Sequence, residues 1–202
     1  MDTYENVKTE KDQKIQFMSE AISQAEKALL LDEVPIGCVI VQNGRIIAEA
    51  HNRREIDQQS IHHAEMIAIS QACRLTGSWR LDDCDLYVTL EPCPMCAGAI
   101  IQSRIRNVYF GAYDPKGGSC GSVVNLLEIS AYNHHPDYEG GILQTECAAL
   151  LSNFFRKKRN EKKRLKIAEQ QALLSAQNEA EDHINKEDEY GLSGSLPKIQ
   201  TS

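Results

Sequence analysis

His63-Ala64-Glu65 and Pro92-Cys93-Pro94-Met95-Cys96 are the two stretches of this chain whose residue types could do chemistry together. An imidazole and two thiolates are donors that zinc takes, and three protein ligands with one open position is the arrangement of a catalytic site. A lone C-x-x-C could be half a structural zinc site or a redox pair, and a lone His is usually an ordinary polar residue. The two stretches together are far more specific. Cys93 and Cys96 are expected in the first turn of a helix, where unpaired N–H groups and the positive dipole end favour thiolates. Three-residue spacing puts both sulfurs on one side of that helix. Pro94 is tolerated in the turn, where a missing N–H costs little. His62 adjoins His63 as a rival ligand, and His63 is chosen because only it gives the H-x-E spacing.

Glu65 decides what kind of site this is. Two positions from His63, its carboxylate can approach a water at the metal without itself being a ligand. H-x-E with P-C-x-x-C is the pattern of zinc-dependent nucleobase deaminases. Glu65 is then expected to take a proton from the attacking water and give it to the ring nitrogen beside the attacked carbon. That carbon is C6 of adenine or C4 of cytosine, and Glu65 later helps ammonia leave. The competing reading of Glu65 is a solvated acid at a helix N-terminus, a favourable place for one.

The elements that must position these groups follow from periodicity. Ile15, Met18, Ile22, Ala25 and Leu29 give helical spacing over 14–31. Two β-rich runs, 36–41 and 46–50, flank Asn43-Gly44, the strongest short hairpin signal. A helix is predicted over 63–73, a strand over 86–90, a helix over 93–103, a strand over 107–112, a short helix over 123–129 and a long helix over 146–166. Helices alternating with strands imply an α/β domain with helices on both faces of one sheet, and the hairpin makes that sheet mixed. His134 and His135 fall in a polar loop without metal spacing.

Composition bounds the rest. The chain has 202 residues, 42% of them hydrophobic, which suits one domain with extra material at an end. A flexible N-terminus over 1–13, a domain over 14–166 and an acidic, disordered tail over 167–202 are expected. No apolar run approaches the roughly 18–20 residues of a membrane span, and residues 1–14 lack the apolar stretch of a secretory signal. With seven cysteines, an odd number, a disulfide scaffold is not indicated. Cys38, Cys73, Cys84, Cys120 and Cys147 are taken as small buried or half-buried thiols. These features suggest a cytoplasmic protein. Net charge is −7, but residues 156–166 hold eight basic groups and one acidic. Such a patch can hold a phosphate backbone on an otherwise acidic chain, or be a solvated helix end.

The motifs extend further: Glu33-Val-Pro-Ile-Gly37, His51-Asn52-Arg53, 86–99, 110–118, Asn133-His134 and 146–156. Over about residues 15–165 the chain resembles the cytidine-deaminase superfamily, and within it the bacterial tRNA adenosine deaminases. The resemblance implies a three-layer α/β/α fold on a central mixed five-stranded sheet. It also implies a homodimer with one zinc per subunit, and a tRNA anticodon loop as substrate whose first anticodon adenosine becomes inosine. By the same resemblance Asn52 would contact base and sugar, Pro35 and Ile36 would line the pocket, and Asp114 and Lys116 would meet the RNA. Phe154, Phe155 and Arg156 would close over the flipped nucleotides. Ile61-His62 departs from the Thr-Ala-like pair usual before the ligand His, and the tail past residue 170 is longer and more acidic than the family's. Two other readings stay open. One is a deaminase of free guanine, cytosine or a deoxycytidine nucleotide. The other is a non-catalytic zinc RNA-binding module, which would want a fourth ligand.

Overall fold

The structure is a computed structural model that describes residues 9–191. The outer parts of the expected flexible N-terminus and acidic tail, residues 1–8 and 192–202, lie outside the described residues. Its elements are α1 (Glu10–Leu30), β1 (Gly37–Gln42), β2 (Arg45–His51), α2 (Ala64–Thr76), β3 (Cys84–Leu90), α3 (Pro94–Gln102), β4 (Asn107–Ala112), β5 (Asp137–Gly140) and α4 (Gln144–Gly191). Contacts divide the chain into two units, Met1–Phe155 and Arg156–Ser202.

The first unit is built on one mixed five-stranded sheet in the order β2-β1-β3-β4-β5. β1 pairs antiparallel with β2 and with β3, whereas β3–β4 and β4–β5 are parallel. Asn43 (φ 50°) and Gly44 (φ 72°) turn the hairpin as their types predict. Alternate strand residues feed two cores. Cys38, Ile40, Leu86 and Val88 join Ala64, Ala68 and Ile100 of α2 and α3. Val39, Val41 and Tyr87 join Phe17, Met18 and Ala21 of α1, with Cys147 of α4. Both sheet faces are therefore covered, which gives the expected three layers. Strands buried on both sides explain why β1 and β3 are nearly continuous apolar runs rather than alternating ones.

Four local expectations change. α1 begins at Glu10 rather than Lys14, because a capping box between Thr9 and Asp12 holds a polar first turn. Residues 10–13 are thus helical, not flexible. Residues 123–129 form turns instead of a helix: Cys120 bridges to Asn125, and Asn125 Oδ1 accepts from the Leu127 N–H at 3.2 Å. β-Branched, exposed Val123 and Val124 have no helical face to bury there. β5 has no apolar alternation, only Asp-Tyr-Glu-Gly, so its strand character comes from pairing with β4. Finally, α4 carries helix through residues 167–191, where disorder is expected from polarity. That stretch is rich in Ala, Gln, Glu and Leu, which are strong helix formers.

Candidate metal centre and substrate cavity

The sheet topology gathers the site at one edge. β1 starts at Gly37 opposite His51 at the end of β2, while β3 and β4 end together at Leu90 and Ala112. The carboxyl ends of parallel strands are the usual place for a ligand in such sheets. α2 and α3 start at this same edge, with His63 as the N-cap residue of α2 and Cys93 that of α3. Pro94 occupies the first helical position, and the Ala97 N–H bonds back to the Cys93 carbonyl at 2.8 Å. Two helix N-termini, each favouring negative charge, therefore converge on one point.

His63 Nδ1 lies 3.7 Å from Cys93 Sγ and 3.6 Å from Cys96 Sγ. All three donor atoms fall within 4.8 Å of one another, a group that could hold a metal ion. A hydrogen bond from Cys96 draws Cys93 down to about 4 against its burial, and His63 adds to this. The same hydrogen bond, with burial, pushes Cys96 far up. The pair therefore favours a thiolate at Cys93, a charged donor for a cation. The Cys93 sulfur in turn raises His63. His62 is engaged elsewhere, its Nδ1 2.8 Å from Asp57, as the H-x-E spacing requires.

Glu65 stands in the first turn of α2, only 4% exposed, and its Oε2 has no hydrogen-bond partner among the described residues. Burial raises its carboxyl above the usual range. It lines a cavity of about 220 Å³ together with His63, Cys93, Asn52, Ile36 and Asp114. Of the residues marked from sequence, those six share the cavity, with Cys96 behind them. Pro35 is buried but does not line it, and Lys116 is exposed, its N–H held by Asp114 Oδ1 at 3.0 Å. Phe154 is buried and stacks edge-on against exposed Phe155, 5.3 Å between centroids, and neither lines the cavity. Arg156 belongs to the second unit.

Sequence reasoning gave no role to two buried acids. Glu33, wholly buried, accepts from Asn52 Nδ2 at 2.8 Å and from the Ile56 N–H at 2.7 Å. Glu91, 2% exposed, accepts from the N–H groups of Asp114, Cys120 and Ser122, each at 3.0 Å, and from the Ser122 hydroxyl. Each ties a loop to the cavity wall. The available signal was an acid within a Pro-containing connection at the end of a strand or helix, in Glu33-Val-Pro after α1 and Glu91-Pro-Cys after β3. Arg54, which sequence marks with Arg53 as either a phosphate-holding group or ordinary solvated surface, is in the cavity wall, as is Glu55, which carried no signal of its own.

The chain matches the MafB19-like deaminase family over residues 12–159. It is 55% identical over 147 residues to a tRNA-specific adenosine deaminase of Bacillus subtilis (strain 168), covering 73% of this chain and 91% of that protein. A tRNA-specific adenosine deaminase of Agrobacterium fabrum is 48% identical over 144 residues, covering 71% and 94%. A solved structure from work on A-to-I editing by tRNA:A34 deaminases at the wobble position is 46% identical. It superposes with a TM-score of 0.66, covering 67% of this chain and 99% of that one. The site geometry and these relatives agree: the chain belongs to the MafB19-like deaminases and, among them, to the tRNA-specific adenosine deaminase family.

Proposed function

We propose that this protein hydrolyses adenosine to inosine at the wobble position of a tRNA anticodon, with one zinc ion held by His63, Cys93 and Cys96 and with Glu65 as the catalytic proton carrier. The observation that carries the reading is the buried, unpartnered Glu65 Oε2 in the same cavity as the donor set. Tetrahedral zinc, with bonds of about 2.3 Å to sulfur and about 2.0–2.1 Å to nitrogen, sets such ligand atoms roughly 3.6 Å apart. The sulfur-to-imidazole distances of 3.6 and 3.7 Å fit that spacing. Three donors, with no fourth grouped with them among the described residues, is the catalytic pattern. When bound, zinc supplies a water that ionises near neutral pH.

Glu65 Oε2 accepts a proton from the attacking water and donates it to the ring nitrogen next to the amine-bearing carbon. A carboxyl raised by burial suits both halves of that transfer. Ile36 and Leu90 give the cavity apolar walls for one ring, and Asn52 gives it an amide to orient base or sugar. At about 220 Å³ the cavity is smaller than the roughly 300–1,000 Å³ of drug-sized sites. One flipped base fits this size, and an anticodon loop makes flipping inexpensive. Pro35, buried next to Ile36 in the chain, is part of the pocket reading, and Asp114 in the cavity wall, with Lys116, Phe154 and Phe155, meets the flanking nucleotides. The basic run from Arg156 to Lys166 contributes phosphate contacts of its own.

Substrate identity rests on the relatives named tRNA-specific adenosine deaminases, of which the match covers 91% and 94%. The protein then works in the cytoplasm, and no described helix is long and apolar enough to cross a membrane. A homodimer is part of the reading, supported by exposed Ile61 beside Met66 and Ile67 on α2. The deciding experiment offers the zinc-loaded protein an anticodon stem-loop with adenosine first, free guanine and free cytosine. Inosine in the stem-loop is expected, and turnover of a free base alone would overturn the proposal.

A further inference from the structure

Glu33 has no role in proton transfer, yet it is wholly buried and uses both oxygens beside the substrate cavity. It follows the C-terminus of α1, where Asp32 takes a positive φ of 60° and the Glu33 N–H bonds to the Ala28 carbonyl at 3.0 Å. That reversal aims the side chain under the end of β2. Glu33 Oε2 receives Asn52 Nδ2, and Oε1 receives the Ile56 N–H. Asn52 is also held by its own N–H on the Ile36 carbonyl at 2.9 Å. Its backbone is thus fixed by one bond and its amide orientation by the other.

A carboxylate can only accept hydrogen bonds. The Asn52 amide must therefore turn its NH₂ toward Glu33, which leaves its carbonyl oxygen facing away from the acid, on a residue that lines the cavity. Ile56 follows Arg54 and Glu55, both in the cavity wall, so the second oxygen fixes that wall. Burying a charge is costly unless hydrogen bonds compensate, and an apolar residue would pack here without that cost.

We infer that Glu33 is a positioning residue for substrate recognition: it presents Asn52 with its carbonyl oxygen toward the cavity, to accept from a hydroxyl or N–H donor on the bound nucleotide, and holds the Arg54–Glu55 wall in place. This rests on the proposed deaminase reading and extends it to how the nucleotide is read.

The test is a double-mutant cycle with the zinc-loaded protein and the adenosine stem-loop, using Glu33→Gln and Asn52→Ala singly and together. A glutamine keeps the volume but no longer dictates which way the amide turns. Glu33→Gln alone should lower kcat/KM by about tenfold to a hundredfold, the scale of a hydrogen bond to a charged group. The loss should lie in KM, with zinc content unchanged. In the Asn52→Ala background the same change should cost less than about threefold, because the residue it acts through is gone. Equal losses in both backgrounds, or a loss of thermal stability with kcat/KM unchanged, overturn the inference. If Glu33→Gln does not fold, Glu33→Asp takes its place in the cycle. It keeps the charge on a shorter stem that cannot reach both partners, and the same two outcomes decide. Wild-type inactivity on the stem-loop would instead defeat the functional reading, and the cycle would then be run on whichever free base is turned over.

Discussion

Glu65 and Glu91 line the same cavity and are almost equally buried, at 4% and 2% exposure, but the chain treats them in opposite ways. Glu91 receives three backbone N–H groups and a hydroxyl, which outweigh its burial and hold its carboxyl below the usual range. Glu65 has an oxygen with no protein partner, and burial raises it. A buried polar group is normally satisfied, so the exception calls for a reason. At Glu91 the hydrogen bonds are the reason: the acid closes the 114–122 loop against the end of β3. At Glu65 the proposed proton transfer supplies the reason, since a carboxylate that is poorly solvated is a better base. Position in the cavity does not separate the structural acid from the chemical one. The count of donors around each does.

The largest effect that should separate them comes from Glu65→Gln. This change keeps the shape and leaves His63, Cys93 and Cys96 untouched. Turnover should fall by about 10²–10⁴, the range for general acid–base catalysis. Metal content and unfolding midpoint should hold or rise, because a buried charge has been removed. Normal turnover with reduced stability would reverse the assignment of the two acids. The mirror experiment is Glu91→Gln. One face of the new amide cannot accept, so at least one of the Asp114, Cys120 or Ser122 N–H groups is left buried without a partner. Urea unfolding should show a loss of about 1.5–3 kcal/mol, the scale of hydrogen bonds to a charged group. Turnover should fall far less than for Glu65→Gln. A stability close to wild type would mean that the loop does not depend on Glu91.

The group that could hold a metal was legible in sequence because its geometry is local. Cys93 and Cys96 share one helical turn, and H-x-E fixes His63 and Glu65 within another. Glu33 and Glu91 were not, since their meaning depends on N–H groups that chain closure brings from residues 56, 114, 120 and 122. An isolated acid carries no record of who will donate to it. The same limit hid β5, whose Asp-Tyr-Glu-Gly becomes strand only by lying along β4. Polarity was misleading at both helix ends: Thr9 and Asp12 cap a polar turn, and α4 continues through a polar stretch of strong helix formers. The central strands β1 and β3 were read well because burial on both faces leaves them nearly continuous in apolar residues.

Space around Glu91 offers a smaller probe of its role. Gly118 packs against the carboxylate so closely that an added Cβ would overlap it, and the same Cβ would lie 2.7 Å from the Asp114 carbonyl oxygen. Gly118→Ala must push either the acid or the loop aside. Unfolding should register the low end of the roughly 1–3 kcal/mol typical of overpacking. The loss should shrink when Glu91 is already glutamine, because neighbouring changes are not additive. A full loss in both backgrounds would assign the strain to the Asp114 carbonyl instead.

The weakest but most discriminating contrast is with pH. Glu91 is lowered in the folded protein, so its support is complete above the unfolded carboxylate value of about 4.3 and is lost as pH falls through its folded value. Glu91→Gln carries no such group. The stability gap between wild type and Glu91→Gln should therefore be constant from about pH 5 upward and narrow below about pH 4. Asp57, held near 2 first by Arg53 and then by His62, weakens in the same direction but is present in both proteins. It makes no contact with Glu91 among its hydrogen bonds, so its contribution cancels in the difference. Urea midpoints at successive pH values from 6 to 3 measure the gap directly. If it widens toward acid, the Glu91 carboxyl titrates above the usual range like that of Glu65, and the distinction between the two acids fails.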